Sequence, residues 1–246
     1  MSQTDARAAR LALEHLLETD APPLPAGFLD GVERYVALLL EANERGNLTR
    51  IVAPDDVARL HLLDALSALP ILDSVAPDRA LDLGSGGGVP GIVLALARRD
   101  VAWTLVDSVR KKADALRGFV SALGLTSVDV VAERAEVLGR DLAHRERYDV
   151  VTARACAALP VLVEYALPFL RVGGSLIAWK GRTEEEELRA GAAASHLLGG
   201  GDPVVRLSGW EILGDHRFVI VPQLAPTPAR YPRRPGEASR RPLGRA

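Results

Sequence analysis

The residues with the most chemistry to offer lie in one short stretch. Five glycines fall within Gly84-Ser85-Gly86-Gly87-Gly88-Val89-Pro90-Gly91, directly after the apolar run Ala80-Leu81-Asp82-Leu83. Asp107 closes the next apolar run. A Cβ in such a turn would block close approach of the backbone to a ligand and would disfavour positive φ. A carboxylate at the end of the second run, beside the turn, can accept both hydroxyls of a ribose. These residues therefore offer a seat for a ligand with an adenosine-like ribose.

The elements that must position this seat alternate. Strands are expected at about 79–83, 101–106, 127–131, 148–153 and 173–179, with helices between them at about 90–99, 109–124, 134–144, 158–170 and 183–198. Two last strands follow near 203–208 and 216–222. Alternating strands and helices predict a mostly parallel, doubly wound α/β sheet with helices on both faces. The short link between the last two strands predicts an antiparallel edge. Pro90 suits a first helical turn, where its missing N–H costs nothing. Ahead of the sheet, Leu29, Val32, Val36, Leu39 and Leu40 recur at helical spacing up to a stop at Arg45-Gly46-Asn47. Pro54-Asp55-Asp56 then opens a helix carrying Leu60, Leu63, Leu66 and Leu69. The expected organisation is a helical part at 1–75 packed on the core, a sheet domain at 76–222 and a basic tail at 223–246.

In open α/β sheets, ligands bind at the carboxyl ends of the strands, where strand order reverses. Two ligand classes fit the turn placed there. Gly86, Gly88 and Gly91 satisfy G-x-G-x-x-G with an acid about 20 residues on, as a dinucleotide fingerprint requires. Gly84, Gly86 and Gly88 also satisfy G-x-G-x-G after Asp82, which resembles the first motif of class I S-adenosylmethionine-dependent methyltransferases. Asp82 would repel a pyrophosphate but has a role beside a methionine ammonium or its water shell. The motif favours the methyl donor without excluding the dinucleotide.

Composition narrows the class. The chain has 246 residues, 48% hydrophobic and 25% charged, which suits one large globular domain. No apolar run reaches the ~18–20 residues of a membrane span, and the N-terminal stretch lacks the apolar core of a signal peptide. A cytoplasmic protein is expected, with no membrane partner. The single cysteine, Cys156, excludes an internal disulfide and a Cys-based zinc site, and no metal-ligand spacing stands out. The net charge of −2 is unevenly spread: after Pro222, Arg230, Arg233, Arg234, Arg240, Arg241 and Arg245 face one acid, Glu237. Such a strip can contact phosphates. This Pro/Arg-rich tail cannot build a core of its own, and is expected to lie over the domain or to stay mobile until bound.

An ordered set of stretches resembles the RsmG (glucose-inhibited division protein B) family of 16S rRNA guanine-N7 methyltransferases. The stretches are Asn47-Leu48-Thr49, His61 with Asp64, the glycine turn, and Leu105-Val106-Asp107-Ser108 with Lys111-Lys112. Arg134-Ala135-Glu136, Arg154-Ala155, Lys180-Gly181, Tyr231 to Gly236 and Arg241-Pro242-Leu243 complete it. The resemblance implies a class I, Rossmann-like, seven-stranded sheet with one antiparallel edge strand and N-terminal helices. It implies S-adenosylmethionine as cofactor, bound by Gly84, Val89, Ala135, Glu136 and Arg154 with Asp107 at the ribose; Gly86, Gly88 and Ser108 belong to the same turn and strand end. It implies N7 methylation of guanosine 527 in the decoding region, on free 16S rRNA, the small subunit or an assembly intermediate, by an enzyme read as a monomer. Ala65 and Cys156 depart from the family's more usual serine and aromatic.

Guanine N7 carries an in-plane lone pair and no proton to lose, so positioning suffices and no general base is needed. The sequence accordingly holds no nucleophile–base pair. His61, Lys180 and Arg154 are the candidates for work at the reacting base. Arg154 and Lys180 follow strands at the ligand edge; a surface ion pair and a snorkelling lysine are the plain alternatives. Glu136 competes with an ordinary helix-start carboxylate. His61 and Asp64 share one helix face, as a local pair or facing substrate. Lys111, Lys112, Lys180 and the tail arginines Arg230, Arg233, Arg234, Arg240 and Arg241 are candidates for RNA. Arg110 opens the same helix as the lysine pair, where a solvated face is the alternative. Cys156 lacks an activating neighbour and reads as a small buried residue rather than a nucleophile. A nicotinamide-dependent oxidoreductase, a methyltransferase for a small molecule or protein, and a non-catalytic RNA-binding module are the competing readings.

Overall fold

The computed structural model describes residues 2–18, 21–154 and 156–244. Ala155 and Arg245 lie outside them. Seven strands form one sheet: β1 (Arg79–Leu83), β2 (Ala102–Val106), β3 (Val128–Val131), β4 (Tyr148–Arg154), β5 (Leu170–Lys180), β6 (Val204–Leu207) and β7 (Arg217–Pro222). Their order is β3-β2-β1-β4-β5-β7-β6. β1 to β5 pair in parallel, and β7 runs antiparallel to both β5 and β6. The expected closing pair is present, with the antiparallel strand set just inside the edge. Strand order reverses beside β1, between β2 and β4, so a crevice opens at the carboxyl ends of these strands.

Period-two alternation sends neighbouring strand residues to opposite faces. Val150 and Ile177 join one apolar cluster, with Trp103, Leu105 and the N-terminal helices. Val151 and Leu176 join the other, with Leu81, Leu83 and the helices between β3 and β6. The first face is covered by α1 (Ser2–Leu17), α2 (Phe28–Gly46), the short helices α3 (Pro54–Asp56), α4 (Asp64–Leu66) and α5 (Leu69–Val75), α6 (Gly91–Ala97) and α7 (Arg110–Leu123). The second is covered by α8 (Ala135–Leu138), α9 (Leu159–Ala166) and α10 (Glu185–Leu197). α1 and α2 add Leu13, Val32, Tyr35 and Val36, each fully buried, to the same core as the sheet.

Three elements differ from the pattern expected of them. The helix expected at 134–144 stops at Leu138, where Gly139 N–H closes onto Ala135 O and tight turns follow. The helix expected at 158–170 stops at Ala166, because Pro168 cannot donate to the next turn; Leu167–Phe169 is a 3-10 turn and β5 starts at Leu170. The helix opened by Pro54 contains a π-helical stretch, Val57–Leu63. Such widened turns often mark functional sites, and this one carries His61.

The tail is ordered across the second face. Core arginines satisfy its backbone: Arg145 donates to Thr227 O and Tyr231 O, and Arg140 to Arg230 O. Tyr231 and Ala238 are buried, and a short helix, α11 (Glu237–Arg240), lies against α9. Tyr165 of α9 and Ser239 share a hydrogen bond of 2.8 Å.

Candidate active site

The glycine turn is built from below as well as from within. Gly84, Gly86 and Gly88 have φ of 73°, 56° and 101°, open to glycine and strained for other residues. The amides of Gly84 and Ser85 both donate to Val106 O, fastening the turn to β2. Tyr35 of α2, fully buried, donates its hydroxyl to Gly87 O at 2.8 Å. The sequence reading missed this support, because Tyr35 lies 52 residues from Gly87 and nothing local links them. A Cβ on Gly91 would sit 2.5 Å from Leu105 Cδ2 and 2.7 Å from Asp82 Oδ2. Gly88 likewise faces Ile92 and Tyr35 rather than open space.

Asp107 braces the turn. Its Oδ2 accepts Gly86 N–H at 2.9 Å and its Oδ1 accepts Val109 N–H at 2.8 Å. Each carboxylate oxygen retains a second lone pair. Asp82 lies fully buried beneath the turn, accepting from Thr152 Oγ1 at 2.7 Å and Gly91 N at 3.3 Å. It acts as a floor beam under the crevice, its carboxylate engaged by Thr152 and Gly91.

Asp82 and His61 carry opposing pH signatures. Burial pushes the Asp82 carboxyl up to about 6, against its Thr152 and Gly91 hydrogen bonds. The folded protein therefore binds the proton more tightly than the unfolded chain, and this group's contribution to stability declines as pH rises from about 4 to about 6. Burial, then the neighbouring Arg154 charge, pulls His61 down to about 4. Here the unfolded chain binds the proton more tightly, so stability is lost as pH falls from about 6.5 to about 4. Asp82→Asn removes only the first effect. Its stability relative to the parent should rise by on the order of 2–3 kcal/mol between pH 4 and pH 6.5, measured by urea titration at each pH. A constant difference across that range would refute the assignment.

His61 sits in a polar chain that joins the π-helical stretch to the sheet. Arg154 Nη2 donates to His61 Nδ1 at 3.1 Å. A guanidinium only donates, so Nδ1 accepts and Nε2 carries the hydrogen. His61 Nε2 then donates to Thr49 Oγ1 at 2.8 Å. Arg154 Nη1 donates to Leu60 O at 2.7 Å and to Asp64 Oδ2 at 3.2 Å. Asp64 Oδ1 takes His216 Nδ1 at 2.9 Å, and Asp64 O accepts from the Trp179 indole. His216 had no place in the sequence reading, because nothing in its local context links it to Asp64, 152 residues away.

Two cavities flank the turn and share Gly84. One of about 150 Å³ is lined by Val106, Ser108, Ala135, Glu136, Cys156 and Tyr165 among others. The second, about 200 Å³, is lined by the turn from Gly84 to Val89 with Thr49, His61 and Arg154. Cys156 lines the first. Its thiol donates to Leu83 O, and burial of the sulfur, with the Asp82 and Asp107 carboxylates, pushes it up to about 12 although the residue as a whole is exposed. Such a thiol is a poor nucleophile. Glu136 is buried; the Arg134 side chain and Gly236 N–H outweigh its burial and hold its carboxyl below the usual range. Gly236 belongs to the tail, so the tail closes the first cavity's rim.

The basic candidates do not converge. Lys111 and Lys112 open α7 on the first face, with Lys111 donating to Arg45 O. The tail arginines ride the second face. Arg230, Arg234, Arg240 and Arg241 are exposed there, and Arg230 stacks over Tyr231. Arg233 has other employment: Nε and Nη2 grip Glu164, which is fully buried, and its backbone N–H joins them. Lys180 also serves a structural pair, donating to Ala157 O and Glu187 Oε1 at 2.8 Å each.

The sheet order decides between the two ligand classes the turn left open. A dinucleotide-binding sheet of order 3-2-1-4-5-6 continues in parallel; here an antiparallel strand is inserted between β5 and β6. Comparison with known proteins agrees. The family model for rRNA small subunit methyltransferase G, GidB, matches residues 29–207, more than half of the chain. The chain belongs to that family. Ribosomal RNA small subunit methyltransferase G of Deinococcus deserti is 46% identical over 89% of this chain and 90% of its own. The Rubrobacter xylanophilus protein of the same name is 42% identical over 96% of this chain and 92% of its own. A putative O-methyltransferase from Klebsiella pneumoniae shares the fold with a TM-score of 0.53 at 16% identity, covering 86% of this chain and 96% of that one. For this GidB family member, no helix among the described residues is long and apolar enough to cross a membrane. No group of three or more His, Cys, Asp or Glu among them could hold a metal.

The two cavities fit the family's cofactor. An elongated ligand with a flat adenine end and a charged methionine end suits two cavities that share Gly84 in their linings. Val106, Ala135 and Tyr165 offer the apolar lobe, and the turn with Arg154 offers the polar one.

Proposed function

We propose that this protein uses S-adenosylmethionine to methylate N7 of a guanosine in 16S rRNA, at position 527, on free rRNA, the small subunit or an assembly intermediate. Family membership over most of the chain is the observation that carries this reading. Gly84, Gly86, Val89 and Arg154 hold the methionine end, Ala135 and Glu136 flank the adenine, and Asp107 and Ser108 meet the ribose. When bound, the cofactor supplies an electrophilic methyl group on a sulfonium. The chain's task is to hold a guanine in line with that group and to exclude water. The N7 lone pair takes the methyl group, the C–S electron pair stays with sulfur, and positive charge passes to the purine. No proton moves, consistent with a neutral His61 locked between Arg154 and Thr49. The exposed arginines Arg234, Arg240 and Arg241, with Lys111 and Lys112, would contact the RNA backbone.

Purified protein, methyl-labelled S-adenosylmethionine and unmodified 16S rRNA, free and as 30S subunits, test the reading. Labelled 7-methylguanosine from a single fragment is the expected product. No label in either substrate, with the donor shown to bind, would overturn the rRNA assignment.

A further inference from the structure

A third cavity opens on the far side of Arg154 from the glycine turn. It holds about 500 Å³ and lies where β4 and β5 end. Arg154 lines both this cavity and the turn's polar lobe, so the two meet at that side chain. Ile51 and Trp179 give it apolar walls, and Asp64, Arg154, Lys180 and His216 give it polar ones. The Trp179 ring is fixed twice, by its indole hydrogen bond to Asp64 O and by edge contact with Phe218 at 5.0 Å. An extruded base meets such a pocket through stacking and through hydrogen bonds to its edge.

The polar groups have a definite polarity. Asp64 is 3% exposed, and both its oxygens are engaged, by Arg154 and by His216. As a carboxylate it only accepts, so in the neutral imidazole the His216 hydrogen sits on Nδ1 and Nε2 is left as an acceptor, turned away from the buried acid. Arg154 has five N–H groups and spends three of them on Leu60, Asp64 and His61. Lys180 has three and spends two, on Ala157 and Glu187. The cavity thus presents spare cationic donors beside one aromatic acceptor. Guanine presents the complement on its Watson–Crick edge: O6 accepts, and N1–H donates beside it. Adenine presents the reverse.

Resting on the methyltransferase reading, we infer that this third cavity is the pocket for the target guanine, with His216 Nε2, braced by Asp64, accepting the base's N1–H and with Arg154 and Lys180 donating to O6. Methyl transfer makes the purine cationic and its N1–H a stronger donor. The hydrogen bond to His216 therefore tightens along the reaction, and a bond that strengthens in the transition state raises kcat rather than substrate affinity.

Base substitution on the unaltered enzyme gives the first test. Small subunits are assembled from 16S rRNA ligated to carry guanosine, 1-methylguanosine or adenosine at the target. The 1-methyl group removes N1–H and leaves N7 untouched. Turnover of 1-methylguanosine should fall ~10²-fold or more against guanosine, and adenosine should not react. In the second arm, His216→Ala should lose ~10² in kcat with unchanged S-adenosylmethionine affinity by calorimetry and unchanged KM for the subunit. It should then show little further penalty for 1-methylguanosine, while His216→Gln, which keeps an acceptor, recovers part of the rate. Equal rates for guanosine and 1-methylguanosine in the unaltered enzyme would overturn the inference. So would a full 1-methyl penalty surviving in His216→Ala. If the unaltered enzyme methylates no guanosine subunit at all, the function reading itself falls and takes the pocket with it.

Discussion

Arg233→Ala should destabilise the protein by about 3–5 kcal/mol, the usual result of stripping the partner from a buried charge. Glu164 is fully buried in α9, and Arg233 meets it with Nε, Nη2 and its own backbone amide. Without the guanidinium, that carboxylate must ionise unpaired or take up a proton at neutral pH. Both routes lower stability, and urea denaturation at pH 7 reads the sum. A second substitution separates this from simple loss of packing. Replacing the pair together, Glu164→Leu with Arg233→Met, leaves no charge to strand, and most of the lost stability should return. A loss under about 1 kcal/mol in the single variant would place the pair among weak surface contacts. Arg233 entered as a phosphate contact, and a loss of about 3–5 kcal/mol would establish it instead as the clamp that seats the tail.

Asp107→Ala should weaken S-adenosylmethionine binding by ~10²-fold or more, since a hydrogen bond to a charged group is worth about 1.5–3 kcal/mol and more than one is lost. The carboxylate acts twice over. It holds Gly86 and Val109 by their amides, which shapes the turn, and we propose that its remaining lone pairs meet the ribose. Alanine strands two amides and removes the ribose partner together. Asp107→Asn keeps one acceptor oxygen and should fall between the parent and alanine. Calorimetric titration with S-adenosylmethionine and with S-adenosylhomocysteine measures the loss. An alanine variant whose Kd stays within twofold of the parent would remove Asp107 from the binding site.

What could be read in the sequence was what depends on short range. The apolar runs place all seven strands within three residues of their observed starts, because strand alternation and turn glycines are local signals. The glycine turn and Asp107 stood out for the same reason. What stayed hidden depends on residues brought together across the fold. Tyr35 supports Gly87 from a helix 52 residues away, and His216 finds Asp64 across 152. Asp82 sat in a motif that implied ligand contact; only the packing of Gly91 against it reveals a buried beam. For the tail, composition left two courses open, lying over the domain or staying mobile, and the structure shows the first. The tail lacks apolar residues enough for a core, yet it needs none, since Arg140 and Arg145 reach out from the domain to its carbonyls.

The Glu136–Gly236 hydrogen bond spans 100 residues of chain. A polypeptide leaves its ribosome N-terminus first, and domains fold as they emerge. Residue 236 is made after every strand of the sheet, so the first cavity's contact between Glu136 and the tail is among the last to form. Glu136 waits, with Arg134 as its partner, until Gly236 arrives. The order of synthesis thus makes this contact one of the last that the protein acquires: a nascent chain interrupted between β7 and the tail would carry every strand of the sheet and a Glu136 without its Gly236 partner.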